Sequence, residues 1–244
     1  NSPYTAAELL PVSNSRKVDR PLHVLPMGVD TDGLDPVNRT AQARCALAGQ
    51  VGVSNATRLL LYAGRLAPEK NIPLLVDVME LLPEQYHLVI AGEGSERGWL
   101  EEEGQKRTGG RIHLTGHLKD RAAIATLLAG ADVFVHPNPQ EPFGIGPLEA
   151  MAAGVPLVGP STGGVTFYAG ASNAWLAPAN GTSYAEAVES VFSNPSEYAE
   201  RVSAARQTAI SHSWPVVAAK FFKLFDDILS GADLHVPQGP AAVS

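Results

Sequence analysis

The 244-residue sequence predicts an α/β fold, a doubly wound parallel sheet of about six strands with a helical C-terminal end. Three observations carry this. Between Thr57 and Ala177, short apolar runs alternate with amphipathic segments of helical period. The runs are near-continuously apolar, as in Leu59-Leu60-Leu61 and Val133-Phe134-Val135, which suits strands covered by helices on both faces. After Pro178 the pattern becomes purely helical.

In order, the predicted strands are Arg58–Ala63, His87–Ala91, Arg111–Thr115, Asp132–His136, Pro156–Gly159 and Asn173–Ala177. Between the first two, Ile72–Leu82 places Leu74, Leu75, Val78 and Leu81 on one stripe. Asn71 is positioned to cap that helix, Pro73 is tolerated in its first turn, and Pro83 ends it. Arg121–Ala129 and Leu148–Ala153 are further crossover helices, joined to the strands with the usual right-handed connection. Ser183–Phe192, Tyr198–Ser211 and Trp214–Leu229 follow. The last carries Val217, Phe221, Phe222, Phe225 and Ile228, a face that either packs on the domain's own sheet or docks against something outside this chain. At the other end, Ser2–Leu10 reads as a helix fragment, Ser13–Arg20 as a polar loop and Leu22–Leu25 as a strand cut off by Pro26. The tail from Gly231 to Ser244 has no apolar period and is expected to be disordered.

Composition removes several function classes. No apolar run approaches the ~18 residues of a membrane span, and the N-terminus lacks the basic-then-apolar order of a signal peptide. The single cysteine, Cys45, excludes an internal disulfide and a thiolate-rich metal site, and fits a reducing, cytoplasmic setting. With 18 Lys plus Arg against 25 Asp plus Glu, the net charge of -7 offers no basic stripe for nucleic acid. Any anionic ligand must be met locally.

In open α/β sheets, ligands lie beyond the carboxyl ends of the strands, so the loops there are the candidates. After the first strand come Arg65 and Lys70, beside a helix N-terminus. That arrangement suits a diphosphate, since the helix adds free N–H groups, Arg65 bidentate contacts and Lys70 a mobile point charge. Alone, the pair reads more readily as two solvated surface charges. After the fourth strand, Glu141 lies in the loop and Glu149 in the helix that follows. Pro147 suits the first helical position, which turns the amides of Gly144 and Ile145 outward. Each carboxylate can hold a pair of sugar hydroxyls, and each taken singly reads as a surface charge or helix-dipole partner. Together with the two cations they suit a ligand that alternates hydroxyls, two phosphates and hydroxyls, the layout of a nucleotide sugar. His136 is expected to be a hydrogen-bonded strand-end histidine, His87 and His113 structural, and Trp175 core. No histidine and carboxylate spacing suggests a dedicated metal site.

Gly64-Arg65-Leu66 with Glu69-Lys70-Asn71, Ala91-Gly92-Glu93-Gly94, and above all the run from Glu141 through Glu149 to Gly154-Val155-Pro156 resemble the family 4 (group 1) retaining glycosyltransferases of GT-B fold. The resemblance spans about Pro26 to Leu229. Its specific part is the pair of glutamates with seven residues between them; the glycine motifs alone are weak. Gly146, where the family more often has valine, and Met27, where asparagine is common, depart from the pattern.

The resemblance implies a C-terminal, Rossmann-like, nucleotide-sugar-binding domain over residues 26–213. It also implies a crossing helix at 214–230 and, at 1–25, a remnant of or linker from an N-terminal domain. By the same resemblance Arg65 and Lys70 bind the donor diphosphate and stabilise the charge on the leaving group. Glu149 holds the ribose, and Glu141 faces the transferred sugar with the amides of Phe143, Gly144 and Ile145. The backbone around Leu118 meets the base edge; the donor is of UDP, GDP or ADP type. Ser161-Thr162-Gly163-Gly164 resembles the family's glycine pair beside the donor. No cofactor and no metal are expected. The acceptor site would belong to the N-terminal domain, so the chain alone is expected to bind nucleotide weakly and transfer no sugar. Peripheral membrane association would come only through that domain. Other readings are another GT-B activity, such as an epimerase or phosphorylase, and a nucleotide-sugar sensing or interaction module.

Overall fold

The computed structural model describes residues 1–9, 23–118 and 120–230. Six strands form one wholly parallel sheet: β1 (Arg58–Ala63), β2 (Tyr86–Ala91), β3 (Ile112–Gly116), β4 (Val133–Val135), β5 (Leu157–Pro160) and β6 (Trp175–Ala177). Each falls where the apolar runs predict a strand. Their spatial order is β3-β2-β1-β4-β5-β6, so the chain winds outward from β1 in one direction and from β4 in the other. The loops leaving β1 and β4 are therefore neighbours at the point where the winding reverses.

Alternate side chains of each strand feed two apolar layers. Leu59, Leu61, Val89, Phe134 and Leu157 face α2 (Ala41–Gln50), α5 (Arg121–Gly130), α6 (Ile145–Ala152) and α8 (Pro195–Ser211). Leu60, Tyr62, Leu88, Ile90 and Val135 face α3 (Pro73–Leu81), α4 (Arg97–Thr108) and α7 (Gly181–Ser190). Fully burying one such side chain contributes about 1.5–3 kcal/mol, and both faces of the central strands do so.

Several expectations are corrected. The helix after β1 starts at Pro73 with Ile72 as its cap residue and no side-chain cap. Asn71 instead takes a left-handed conformation (φ 54°) and its amide donates to Pro137 O at 3.0 Å, tying the β1 loop to the β4 loop. The helix after β4 starts at Ile145, so Pro147 is its third residue rather than its first. Helices α2 and α4 have no counterpart in the predicted elements. In the N-terminal segment, α1 (Pro3–Leu9) matches the expected fragment, whereas His23–Leu25 forms no strand. The polar loop at 13–20 and the tail at 231–244 lie outside the described residues. Helix α9 (Trp214–Leu229) has the predicted bounds, but Val217 alone is buried. Phe222, Phe225 and Leu229 are 69%, 56% and 85% exposed, so the aromatic face does not pack on the domain's own sheet.

Candidate functional site

The β1 loop is shaped by two buried anchors, Leu66 and Ile72, with a short 3-10 turn, Pro68–Lys70, between them. Its backbone runs against the β2 loop: Gly64 N donates to Ala91 O at 3.0 Å and Leu66 N to Glu93 O at 2.9 Å. That approach requires glycine at two places. A Cβ on Gly92 would stand 1.9 Å from Gly64 O, and one on Gly94 2.1 Å from Leu66 O. The outcome is that Lys70 turns into the sheet edge while Arg65 stays outside, 68% exposed and paired with Glu69 at 2.8 Å.

The β4 loop is held from behind. Phe143 is buried against Phe167, Tyr168 and His212, so its side chain anchors the loop and lines none of the cavities described below. Gly164 N donates to Glu141 O at 2.6 Å, and the Ser161–Gly164 turn lies directly beneath: a Cβ on Gly164 would meet Pro142 O at 2.0 Å. Tyr168 Oη donates to Gly144 O, and Ser2 Oγ and Thr5 Oγ1 both donate to Pro142 O. Gly144 turns at φ 91° into α6, whose first amides, from Ile145 and Gly146, precede any intrahelical bond.

These constraints bring the predicted charged residues together. Lys70 Nζ lies 2.8 Å from Glu141 Oε2, and both side chains are mostly buried. Asn138 Nδ2 donates to the same oxygen at 3.0 Å, while Asn138 Oδ1 accepts from Gln140 N. Burial raises the Glu141 carboxyl, but the hydrogen bond and charge of Lys70, with His136 and Asn138, outweigh it and hold the group below the usual carboxylate range. Glu149 has no such cation against it. Burial pushes it up, Asp30 adds to this, and Arg121 offsets only part. His136 contradicts its expected hydrogen bonding. Its Nε2 has no hydrogen-bond partner among the described residues, and burial lowers its pKa to about 4, so the ring is neutral.

Three adjoining cavities run along this edge. One of about 290 Å³ is lined by Arg65, Lys70, His136, Glu141, Gly144 and Ile145 among others. The next, about 270 Å³, adds Leu118, Arg121 and Glu149. A third, about 430 Å³, lies between Arg65, Gly92, His117 and Leu118. All three share Gly64, so they form one groove, lined by residues that follow β1, β2, β3 and β4 rather than by any one loop. A larger cavity of about 550 Å³ opens behind Glu149, between α2 and α5. Of the predicted residues, Arg65, Lys70, Leu118, Glu141, Gly144, Ile145 and Glu149 all line the groove. Sequence reasoning missed Asn138 and Tyr168, which steady the loop from outside the motif; the Pro137-Asn138-Pro139 turn was the only local signal for the first. His87 and His113 sit side by side, Nδ1 to Nε2 at 2.9 Å, away from the groove. Trp175 is core, with Arg201 over its ring.

The family model for glycosyl transferases group 1 matches residues 47–208. A Mycobacterium tuberculosis protein, GDP-mannose-dependent alpha-(1-6)-phosphatidylinositol dimannoside mannosyltransferase, is 36% identical over 198 residues, 80% of this chain and 49% of that one. The crystal structure of Anabaena Alr3699/HepE in complex with UDP and glucose superposes with a TM-score of 0.73 at 23% identity, over 85% of this chain and 56% of the other. The C-terminal domain of the group 1 glycosyl transferase LpcC from Francisella tularensis gives 0.64 at 18% identity, over 75% of this chain and 97% of that domain. The chain thus spans about half the length of the curated relatives it matches. With a family match over more than half its residues and the Rossmann-like sheet in place, the chain belongs to the group 1 glycosyl transferases and has the fold of their C-terminal GT-B domain.

Proposed function

We propose that this chain is the donor-binding half of a retaining glycosyltransferase that takes a nucleoside-diphosphate sugar. One observation carries the reading: Arg65, Lys70, Glu141, the first amides of α6 and Glu149 line one groove at the winding switch of the sheet. Arg65 and Lys70 meet the diphosphate, with the N-terminus of α6 opposite them. Glu149 accepts from the two ribose hydroxyls, Glu141 from hydroxyls of the sugar, and the backbone near Leu118 borders the base. The amides of Phe143, Gly144 and Ile145 lie nearest the sugar and its phosphate.

In transfer, the bond from the anomeric carbon to the phosphate oxygen breaks and its electron pair stays on the diphosphate. The two cations stabilise that charge as it develops. The acceptor hydroxyl bonds to the same face of the anomeric carbon, and its proton passes to the leaving phosphate oxygen. This front-face course retains configuration and asks no nucleophile of Glu141, whose Oε2 already accepts from Asn138. Residues 26–213 form the donor domain, 214–230 a helix that crosses to the other half, and 1–25 the connection. The acceptor is met by that other half, so this chain by itself binds donor and transfers nothing. Among the described residues no helix is long and apolar enough to cross a membrane.

Calorimetric titration with GDP, UDP and ADP tests the reading, with GDP first because the mycobacterial relative is GDP-mannose-dependent. Arg65→Ala should weaken nucleotide binding by several-fold and Lys70→Ala by about tenfold or more, the loss of one charge-assisted contact. Undiminished binding in both variants would reject the diphosphate assignment.

A further inference from the structure

His136 closes the inner wall of the cavity that Lys70 and Glu141 share. It stands just beyond β4 and is 5% exposed. Its backbone is fixed on both sides, the amide donating to Val158 O at 2.9 Å and the carbonyl accepting from Tyr184 Oη at 3.0 Å. Its Nε2 is buried without a hydrogen-bond partner among the described residues and lies 3.6 Å from Glu141 Oε2. Native structures seldom leave such an atom without a use.

The same Oε2 takes Lys70 Nζ at 2.8 Å and Asn138 Nδ2 at 3.0 Å. Three side-chain nitrogens therefore converge on one oxygen, and one of them, His136 Nε2, is just out of hydrogen-bond reach. Lys70 is also the cation assigned to the diphosphate, and an ammonium drawn onto phosphate oxygens loosens its hold on Glu141. The carboxylate would then lose its nearest charged donor inside a mostly buried site.

We propose that His136 is a positioning residue for Glu141, acting by partner exchange: as the diphosphate draws Lys70 away, the His136 Nε2–H closes onto Oε2 and keeps Oε1 aimed at the transferred sugar. The exchange rests on the diphosphate role given to Lys70 above. No covalent bond changes and no proton is transferred; one hydrogen bond replaces another. The neutral ring suits the task, because it supplies a donor without placing a second cation beside the one that must leave.

Two measurements test this. In the first, His136→Phe keeps ring volume and removes the donor, and His136→Gln keeps an N–H. With His136→Phe, affinity for the nucleoside diphosphate should stay within about twofold while affinity for the corresponding nucleotide sugar falls about tenfold, as for one hydrogen bond to a charged group. His136→Gln should recover part of that loss. A His136→Phe variant that loses both ligands equally, or neither, would overturn the proposal. The second measurement needs no His136 variant. In histidine-¹⁵N NMR of the unaltered chain, His136 should be the Nε2–H tautomer, and that proton should move downfield on saturation with nucleoside diphosphate. In Lys70→Ala the same downfield position should appear before any nucleotide is added. An Nδ1–H tautomer, or a resonance unmoved in both samples, would overturn the exchange while leaving nucleotide binding intact. An unaltered chain that binds no nucleoside diphosphate would overturn the role of Lys70 and the exchange with it.

Discussion

Glu141 and Glu149 show how the same residue type is given opposite electrostatics within one groove. Glu141 is held below the usual carboxylate range, so its ionised form stabilises the fold. That stabilisation is complete above about pH 4.3, the ordinary glutamate value, and is lost as pH falls through the lower folded value. Lys70→Met should cost about 3 kcal/mol at neutral pH by leaving a buried carboxylate without its cation. It should also reverse this acid-side dependence, Tm recovering rather than falling as pH drops from neutral into the acid range, because burial then dominates the Glu141 carboxyl. Thermal unfolding across that range checks both. Glu149 is raised by burial, so its charged form works against folding at neutral pH. Glu149→Gln should therefore leave Tm unchanged or higher while nucleotide affinity falls about tenfold; a lower Tm would contradict this account of its burial. The charged positions were legible in the sequence because the spacing from Glu141 to Glu149 is fixed by one loop and one helical turn. The convergence of Lys70, Asn138 and His136 on a single carboxylate oxygen was not, since it joins two loops that only the sheet order brings together.

The elements around the groove depend on backbone contacts that leave no room for side chains. Gly94→Ala would set a Cβ 2.1 Å from Leu66 O, and Gly164→Ala one 2.0 Å from Pro142 O. Neither neighbour is a flexible side chain, so each substitution should destabilise by about 1–3 kcal/mol, measured by urea unfolding. Gly49→Ala, with nothing within 4 Å of the added carbon and a helical position, should be neutral or stabilising. Strands were found by their apolar runs almost to the residue. The two unpredicted helices bury too little apolar surface to show a period. Helix α4 seats Leu100, Gly104 and Thr108 at four-residue spacing, a stripe with a single large apolar residue, and α2 buries only Leu47 and Ala48. Asn71 illustrates a local rule overruled by a tertiary bond: its sequence position suits a cap, and its side chain goes to Pro137 instead.

At the scale of the whole molecule, the reversal of winding between β1 and β4 is what makes the site, because it sets the Lys70 loop beside the Glu141 loop. The same scale explains α9, whose exposed aromatic face contributes little to this chain's own stability. Phe222→Asp and Phe225→Asp should shift unfolding by no more than about 0.5 kcal/mol, as for other exposed positions. A larger loss would mean that the face is covered within the chain. In the proposed function a nucleoside diphosphate lies in the groove, with its phosphates between Lys70 and the first amides of α6 and its ribose on Glu149. A crystal structure of the chain grown with GDP, UDP or ADP, whichever titrates tightest, tests it most directly. Phosphate oxygens should lie within hydrogen-bond distance of Lys70 Nζ and the Ile145 amide. A nucleotide seated only in the cavity between α2 and α5, with Lys70 and α6 untouched, would contradict it.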